Sequence, residues 1–442
     1  MASDILHIKD SYYFDVPKSL WKSNNKAAKD FPSWFVRLDD NFLQWEADRT
    51  VQGLEKIGIA KEHTEHLKHD WEHWQHESHM NHGWSLPRYL ELRLKQIDAK
   101  AQKWAGKQSP APRDATVAYL AENPAEPYAW VHAMKANPSQ SKAWEEWKKE
   151  NASDTTLQEF LKTSGANWSK EKIDAYNGSL HGKVLIPQPF GGQLINAYEP
   201  ASGFCLSKYM IIEVVVAMIC LILFRWLAKN VATGNAPKGK AWNFLEGLLL
   251  FVRNQVVVPA MGEEDTDAFL PFLWTVFVFI FGCNLMGMLP WVGSPTAAMG
   301  MAAIMALIVF VIGVAVGVRE FGVLGYLKNI CPSLGLPAFM SIIIVPMLWL
   351  IEFASLLIKH IILAMRLVAN MVAGHLVLLG VLGLAIGAKA FLMNDTQWGA
   401  ITVVSVLITT ALSVLELFVA FLQAAIFTFL SALFIGSAKH HH

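Results

Sequence analysis

The chain has 442 residues, is 53% hydrophobic, and balances 37 Lys+Arg against 37 Asp+Glu. A formally neutral chain of this kind lacks the basic face that nucleic-acid binding requires. Its four cysteines, Cys205, Cys220, Cys283 and Cys331, form neither a disulfide framework nor a paired metal-binding spacing.

Charge is unevenly spread: 52 of the 74 charged residues fall in residues 1–207 and only 22 in the remaining 235. The chain therefore divides into a charged domain, residues 1–205, and an apolar membrane domain, residues 206–442. Residues 1–17 carry Asp4, Asp10 and Asp15 and lack the basic region and apolar core of a secretory signal. Export of the first domain then depends on a later segment. Residues 20–55, 57–82, 86–107, 112–136 and 140–180 read as helices punctuated by Pro, Gly, Asn and Ser. Eleven of the 17 tryptophans lie in this domain and suit the aromatic core of a helical cap. Seven of the 15 histidines, His63, His66, His69, His73, His76, His79 and His82, recur every three or four residues along one helix. One straight helix presents only two or three ligands to a single ion, whereas structural zinc takes four, so the stripe is expected to be a solvated face without metal. His69-Asp70-Trp71-Glu72-His73 lacks the H-E-x-x-H order of a zinc protease.

Residues 209–227 are the first stretch long and apolar enough to cross a hydrocarbon core, which takes about 20 helical residues. The short loop that follows holds Arg225, Lys229, Lys238 and Lys240 and no acid, which marks the cytoplasmic side. Within it, residues 234–240 have the G-x-x-x-x-G-K spacing of a phosphate loop. However, Ala241 replaces the hydroxyl residue that binds magnesium, and a helix precedes it in place of a strand. Residues 242–261 mix an apolar face with Glu246, Arg253, Asn254 and Gln255, the pattern of a helix lying in the interface. Further spans are expected at 268–289, 299–318, 338–388 and 399–436. The last two are too long for one perpendicular crossing, since roughly 50 helical residues extend about 75 Å. The expected architecture is an all-α polytopic membrane protein with about five transmembrane helices plus an interfacial helix, two of them long and strongly tilted, preceded by a helical external domain. This topology places the N-terminal domain outside and the C-terminus in the cytoplasm. A large extension on one continuous chain suits a bacterial inner membrane, with that domain periplasmic.

Chemistry concentrates in the two long spans. Arg366 sits in the middle of an apolar helix, where a charge costs about 2.5–3.5 kcal/mol even on a lenient scale and so needs a partner or a hydrated cavity. At about 100° per residue, Glu352, Ser355, Lys359, Arg366 and Asn370 project within roughly 60° of one another, a polar stripe about 27 Å long. His375, nine residues beyond Arg366, points to the opposite face. The last span offers Glu416 and Gln423, seven residues apart on one face. A histidine and a glutamate facing each other inside a membrane form a candidate proton relay.

On these residues the segment 205–438 resembles subunit a of the F-type ATP synthase, the membrane stator beside the rotating ring of c subunits. The matching stretches are Cys283-Asn284-Leu-Met-Gly-Met-Leu-Pro290, residues 352–359, Arg366-Leu-Val-Ala-Asn370-Met-Val-Ala-Gly-His375, and residues 415–429. The resemblance implies that Arg366 faces the ring carboxylates with Asn370 beside it. It further implies that His375, Glu416, Asn284 and Gln423 line the external half-channel, and that Glu352 and Ser355 border the cytoplasmic one. It implies a subunit that is not catalytic by itself, with the c-ring, b-type peripheral stalk subunits and the bilayer as partners and no cofactor or metal. Val368, His360 and Ala425 stand where Phe, Pro and Tyr are common, and residues 1–185 match nothing in the common form of the subunit. Alternatives are a sodium-coupled version of the same subunit and a secondary transporter with an external sensory domain. The transporter would need an internal repeat, which the two groups of spans do not display.

Overall fold

The computed structural model describes residues 10–77, 81, 83–108, 112, 114–124, 126–151, 153–232, 239–289, 292–329, 338–390 and 395–439. Asp4, His79, His82, Pro290, Cys331 and the loop 233–238 lie outside the described residues. The chain forms two compact units. One comprises residues 17–183 and 189–205; the other takes the segment up to Val16, residues 184–188, and everything from Leu206.

The first unit is built of short helices: α1 (Ser33–Arg37), α2 (Asp40–Lys56), α3 (Lys61–Glu77), α4 (Leu86–Ala105), α5 (Ala115–Glu122), α6 (Ala129–Ala136), α7 (Pro138–Glu150), α8 (Ser153–Phe160) and α9 (Lys170–Leu180). Side-chain caps set several starts. The Asp39 carboxylate accepts from the Asn41 amide, Asp114 from Thr116 and Val117, Asn137 from Ser139, and Ser169 from Lys172. Three expected helices are shorter or divided. The helix expected from residue 20 begins at α1 and α2, since Pro32 disfavours helix at Phe31, which is extended. The stretch 112–136 breaks between α5 and α6, where Tyr128 adopts φ 68°. The stretch 140–180 falls into α7, α8 and α9.

Amphipathic spacing explains the packing of α3, which buries Thr64, Leu67 and Trp71 at helical intervals. The Trp71 indole N–H donates to the Trp84 carbonyl at 2.8 Å, satisfying the one polar atom of a fully buried ring. On the opposite face His63, His66, His69, His73 and His76 are exposed. His66 lies 3.3 Å from Asp70 and His73 3.2 Å from Glu77. Four short strands interrupt the helical pattern: β1 (Tyr13–Asp15) pairs with β2 (Lys183–Leu185), and β3 (Gln193–Asn196) runs antiparallel to β4 (Glu199–Ser202).

The second unit contains α10 (Lys208–Val231), α11 (Lys240–Phe251), α12 (Val258–Met261), α13 (Glu263–Gly287), α14 (Met299–Asn329), α15 (Ala338–Ala390) and α16 (Asp395–Lys439). Ser207 caps α10 through the Met210 amide, and Asp10 accepts from the Tyr209 amide at 3.2 Å, putting an acid at the positive end of that helix. Among the described residues, six helical stretches are long and apolar enough to cross a membrane: Lys208–Val231, Lys240–Met261, Glu263–Gly287, Met299–Leu327, Ile344–Gly383 and Trp398–Lys439. Five match the expected spans. The sixth, Lys240–Met261, is where the interfacial helix was expected, and its mean hydropathy of 1.4 is the lowest of the six. Its middle widens to a π-helical turn at Val252–Val257. Pro259, two residues beyond, lacks the N–H that a regular α-turn would use. At 40 and 42 residues, the spans in α15 and α16 measure about 60 Å, twice the hydrocarbon thickness, so they lie inclined or bent. α16 packs against α13, α14 and α15. Buried Ala364, Ala424 and Ala432 let these helices approach closely around Phe277, Leu367 and Phe427.

Candidate functional site

Because α15 is one continuous helix through residues 352–375, the angular spacing read from the sequence applies to it directly. Glu352, Ser355, Arg366 and Asn370 are all partly buried along its polar stripe. Arg366 has no ion-pair or hydrogen-bond partner among the described residues, and the same holds for Asn370 and Glu352. Among the described residues, nothing compensates this guanidinium within its membrane helix.

His375, on the other face, meets α16. Its Nδ1 lies 2.8 Å from Glu416 Oε1, with both side chains about nine-tenths buried. A carboxylate oxygen accepts, so Nδ1 carries the proton of this bond while Glu416 is ionised. Gly374 makes the approach possible, because a Cβ there would sit 2.7 Å from the same Oε1. Four residues along α16 from Glu416, the Ala420 carbonyl accepts a hydrogen bond of 3.1 Å from Asn284 Nδ2 on α13. Asn284 is 1% exposed, and its Oδ1 is buried with no partner among the described residues. Gln423, one further turn along, is also buried. Three helices thus bring His375, Glu416 and Asn284 to one stretch of α16.

A second polar region lies toward the start of α15. A cavity of about 120 Å³ is bordered by Glu352, Lys359 and His360 on α15, Tyr326 on α14, and Ser437 on α16. Ser355 does not line it. Near the end of α16, Lys439 is hydrogen-bonded to Asp265, a buried carboxylate in the first turn of α13.

Of the expected residues, the fold joins His375 to Glu416 directly and brings Asn284, from α13, against α16 at Ala420. Glu352 lies in the other polar region, and Arg366 and Asn370 have no partner among the described residues. Gly374, Tyr326, Ser437 and the cavity side of His360 were not singled out from sequence. The one local signal was Gly374 itself: glycine inside a helix costs about 1 kcal/mol against alanine and so marks a close approach.

Among the described residues there is no group of three or more His, Cys, Asp or Glu arranged to hold a metal ion. Residues 210–436 match the family model described as ATP synthase A chain. The chain is 38% identical over 256 residues to ATP synthase subunit a of Myxococcus xanthus, covering 57% of this chain and 80% of that protein. It is 35% identical over 276 residues to ATP synthase subunit a of Chloroherpeton thalassium, covering 61% and 78%. It is also 39% identical over 275 residues to ATP synthase subunit a of an Anaeromyxobacter species, covering 61% of each.

Proposed function

The chain belongs to the ATP synthase A chain family, and from that premise we propose that it is the proton-conducting stator of a rotary F-type ATP synthase. It is a non-catalytic membrane subunit, so its chemistry is the movement of protons and the holding of one fixed charge. The observation that carries the reading is Arg366, a cation in a membrane helix with no carboxylate partner among the described residues. A carboxylate supplied by a neighbouring ring of c subunits compensates it. Exposed Ile358, Ile362 and Met365 on α15, near Arg366, provide the apolar surface for such a rotor.

Arginine keeps its proton at any accessible pH, so Arg366 attracts a deprotonated ring carboxylate and bars a direct leak between the two sides. Protons then travel on the ring. One enters past Asn284, Gln423 and the Glu416–His375 pair and neutralises a ring carboxylate, which then faces lipid. After most of a turn another carboxylate nears Arg366, with Asn370 beside it, and releases its proton along Glu352 and Ser355. The His375–Glu416 pair favours protons over sodium as the coupling ion, since an imidazole can carry a proton and offers no oxygen ligand to a hard cation.

Arg225 and Lys229 near the end of α10, with Lys238 and Lys240 beyond it and no acid among them, mark that side as cytoplasmic. This puts the N-terminal domain in the periplasm of a cell whose inner membrane holds the chain. The b-type stalk subunits complete the stator. The reading is tested in membrane vesicles carrying the assembled synthase. Arg366→Ala should abolish proton-driven ATP synthesis, and Arg366→Lys should be nearly as damaging, because a desolvated ammonium can lose its proton and lacks the planar fork. Normal synthesis by the Arg366→Lys variant would refute the assignment.

A further inference from the structure

His360 is 7% exposed in the middle of α15 and is used by none of the steps above. Its Nδ1 lies 2.8 Å from the Leu356 carbonyl oxygen. A carbonyl only accepts, so Nδ1 carries the hydrogen, and in the neutral ring Nε2 is a bare acceptor. Nε2 is buried and has no hydrogen-bond partner among the described residues. Buried acceptors are rarely left so unless water or a proton reaches them. The ring borders the cavity of about 120 Å³, well above the roughly 10–15 Å³ that one water needs. The titratable groups facing it there are Glu352 and Lys359 from its own helix and Tyr326 from α14, while α16 contributes the Ser437 hydroxyl. Phe310 and Phe434 hold the ring, with centroids 5.2 and 4.7 Å away.

We infer that His360 is a proton-exchanging residue of this cavity, loading and unloading protons through Nε2 alone. The inference rests on the reading of the Glu352 region as the cytoplasmic half-channel. A hydronium in the cavity gives its proton to the Nε2 lone pair: one O–H bond breaks, one N–H bond forms, and a water is left behind. The imidazolium returns the proton to water by the reverse step. Because the Leu356 carbonyl keeps Nδ1–H occupied, the ring does not pass a proton from one nitrogen to the other. It acts as a local reservoir beside Glu352.

The test is His360→Asn in the assembled synthase. The asparagine Nδ2–H occupies the place of imidazole Nδ1–H and retains the bond to Leu356, while the exchanging nitrogen is gone. With normal amounts of the subunit in the complex, proton-driven synthesis should fall several-fold, and its dependence on cytoplasmic-side pH should weaken. A variant with the unsubstituted rate and pH profile would overturn the proposal. If the variant does not assemble, nitrogen-15 histidine spectra of the unsubstituted complex decide: Nε2 should gain a proton as the pH is lowered. A ring that stays neutral throughout overturns the inference. Arg366→Ala run in parallel separates the two readings. Persistent synthesis there removes the half-channel framework, whereas full dependence on Arg366 with an indifferent His360→Asn removes only the role of His360.

Discussion

Glu416 is held from two sides, by the 2.8 Å bond to His375 and by the lack of a side chain at Gly374. A methyl group there would stand 2.7 Å from the carboxylate oxygen, so Gly374→Ala must displace the very atom that His375 holds. Glu416→Gln keeps the volume and can still pair with His375, but it carries no exchangeable charge. Both variants should lower proton-driven synthesis by about 100-fold or more, the lower range for a positioned proton-transfer group. Subunit content of the membranes should change little in Glu416→Gln. A normal rate in either variant, read as ATP formed by energised vesicles, would take the pair off the proton path.

Among the elements, α15 carries the division between the two proposed half-channels. One face bears the stripe from Glu352 to Asn370, the other presents His375 to α16, and both belong to one unbroken helix. The two polar regions therefore stay at a fixed separation, and their defects should differ by side. Glu416→Gln should slow the response to acidification of the external face. Glu352→Gln should slow exchange with the cytoplasmic face, and more mildly, because Lys359, Tyr326 and Ser437 share its cavity. Acidifying each face of oriented vesicles in turn measures both, and identical defects would speak against two separate paths. At its far end α16 is tied to α13 by the Lys439–Asp265 pair, which satisfies a buried carboxylate that would otherwise be costly.

For the whole molecule the topology is open to a direct check. The described cysteines, Cys205, Cys220 and Cys283, are buried, so an introduced thiol should stand out. In intact cells Lys142→Cys should react with an impermeant thiol reagent, and Lys240→Cys should react only after permeabilisation; the reverse pattern would invert the orientation. The N-terminal helical unit also has its own pH dependence. Burial raises the Glu46 carboxyl from its ordinary range to about 7, against the pull of Arg37, and its Oε2 has no partner among the described residues. A folded value above the unfolded one means stability that is full below about pH 4.5 and is lost as pH rises through about 7. The unit should thus resist unfolding better at about pH 5 than at about pH 8, by on the order of 3 kcal/mol. Glu46→Gln should flatten that difference in pulse proteolysis of the full chain.

The sequence alone determined five of the six candidate membrane spans, the polar stripe on α15 and the family, because apolar length and helical periodicity are local properties that need no neighbour to be read. It also carried Arg366 and Glu416 as ionisable residues where hydrocarbon makes them expensive. It did not determine that the stretch from residue 20 would form no α-helix before α1, only a 3-10 turn at Ala28–Asp30, or that 112–136 would break at Tyr128, since loop geometry there competes with a weak helical pattern. Only the tertiary structure decided that His375 and Glu416, 41 residues apart, form one hydrogen bond, and that Gly374 clears the space between them. Likewise the orphaned Nε2 of His360 depends on Phe310, Phe434 and Ser437 arriving from two other helices. Distances between helices are set by how buried small and large side chains interdigitate, and that information is spread over several segments with no trace in any one of them.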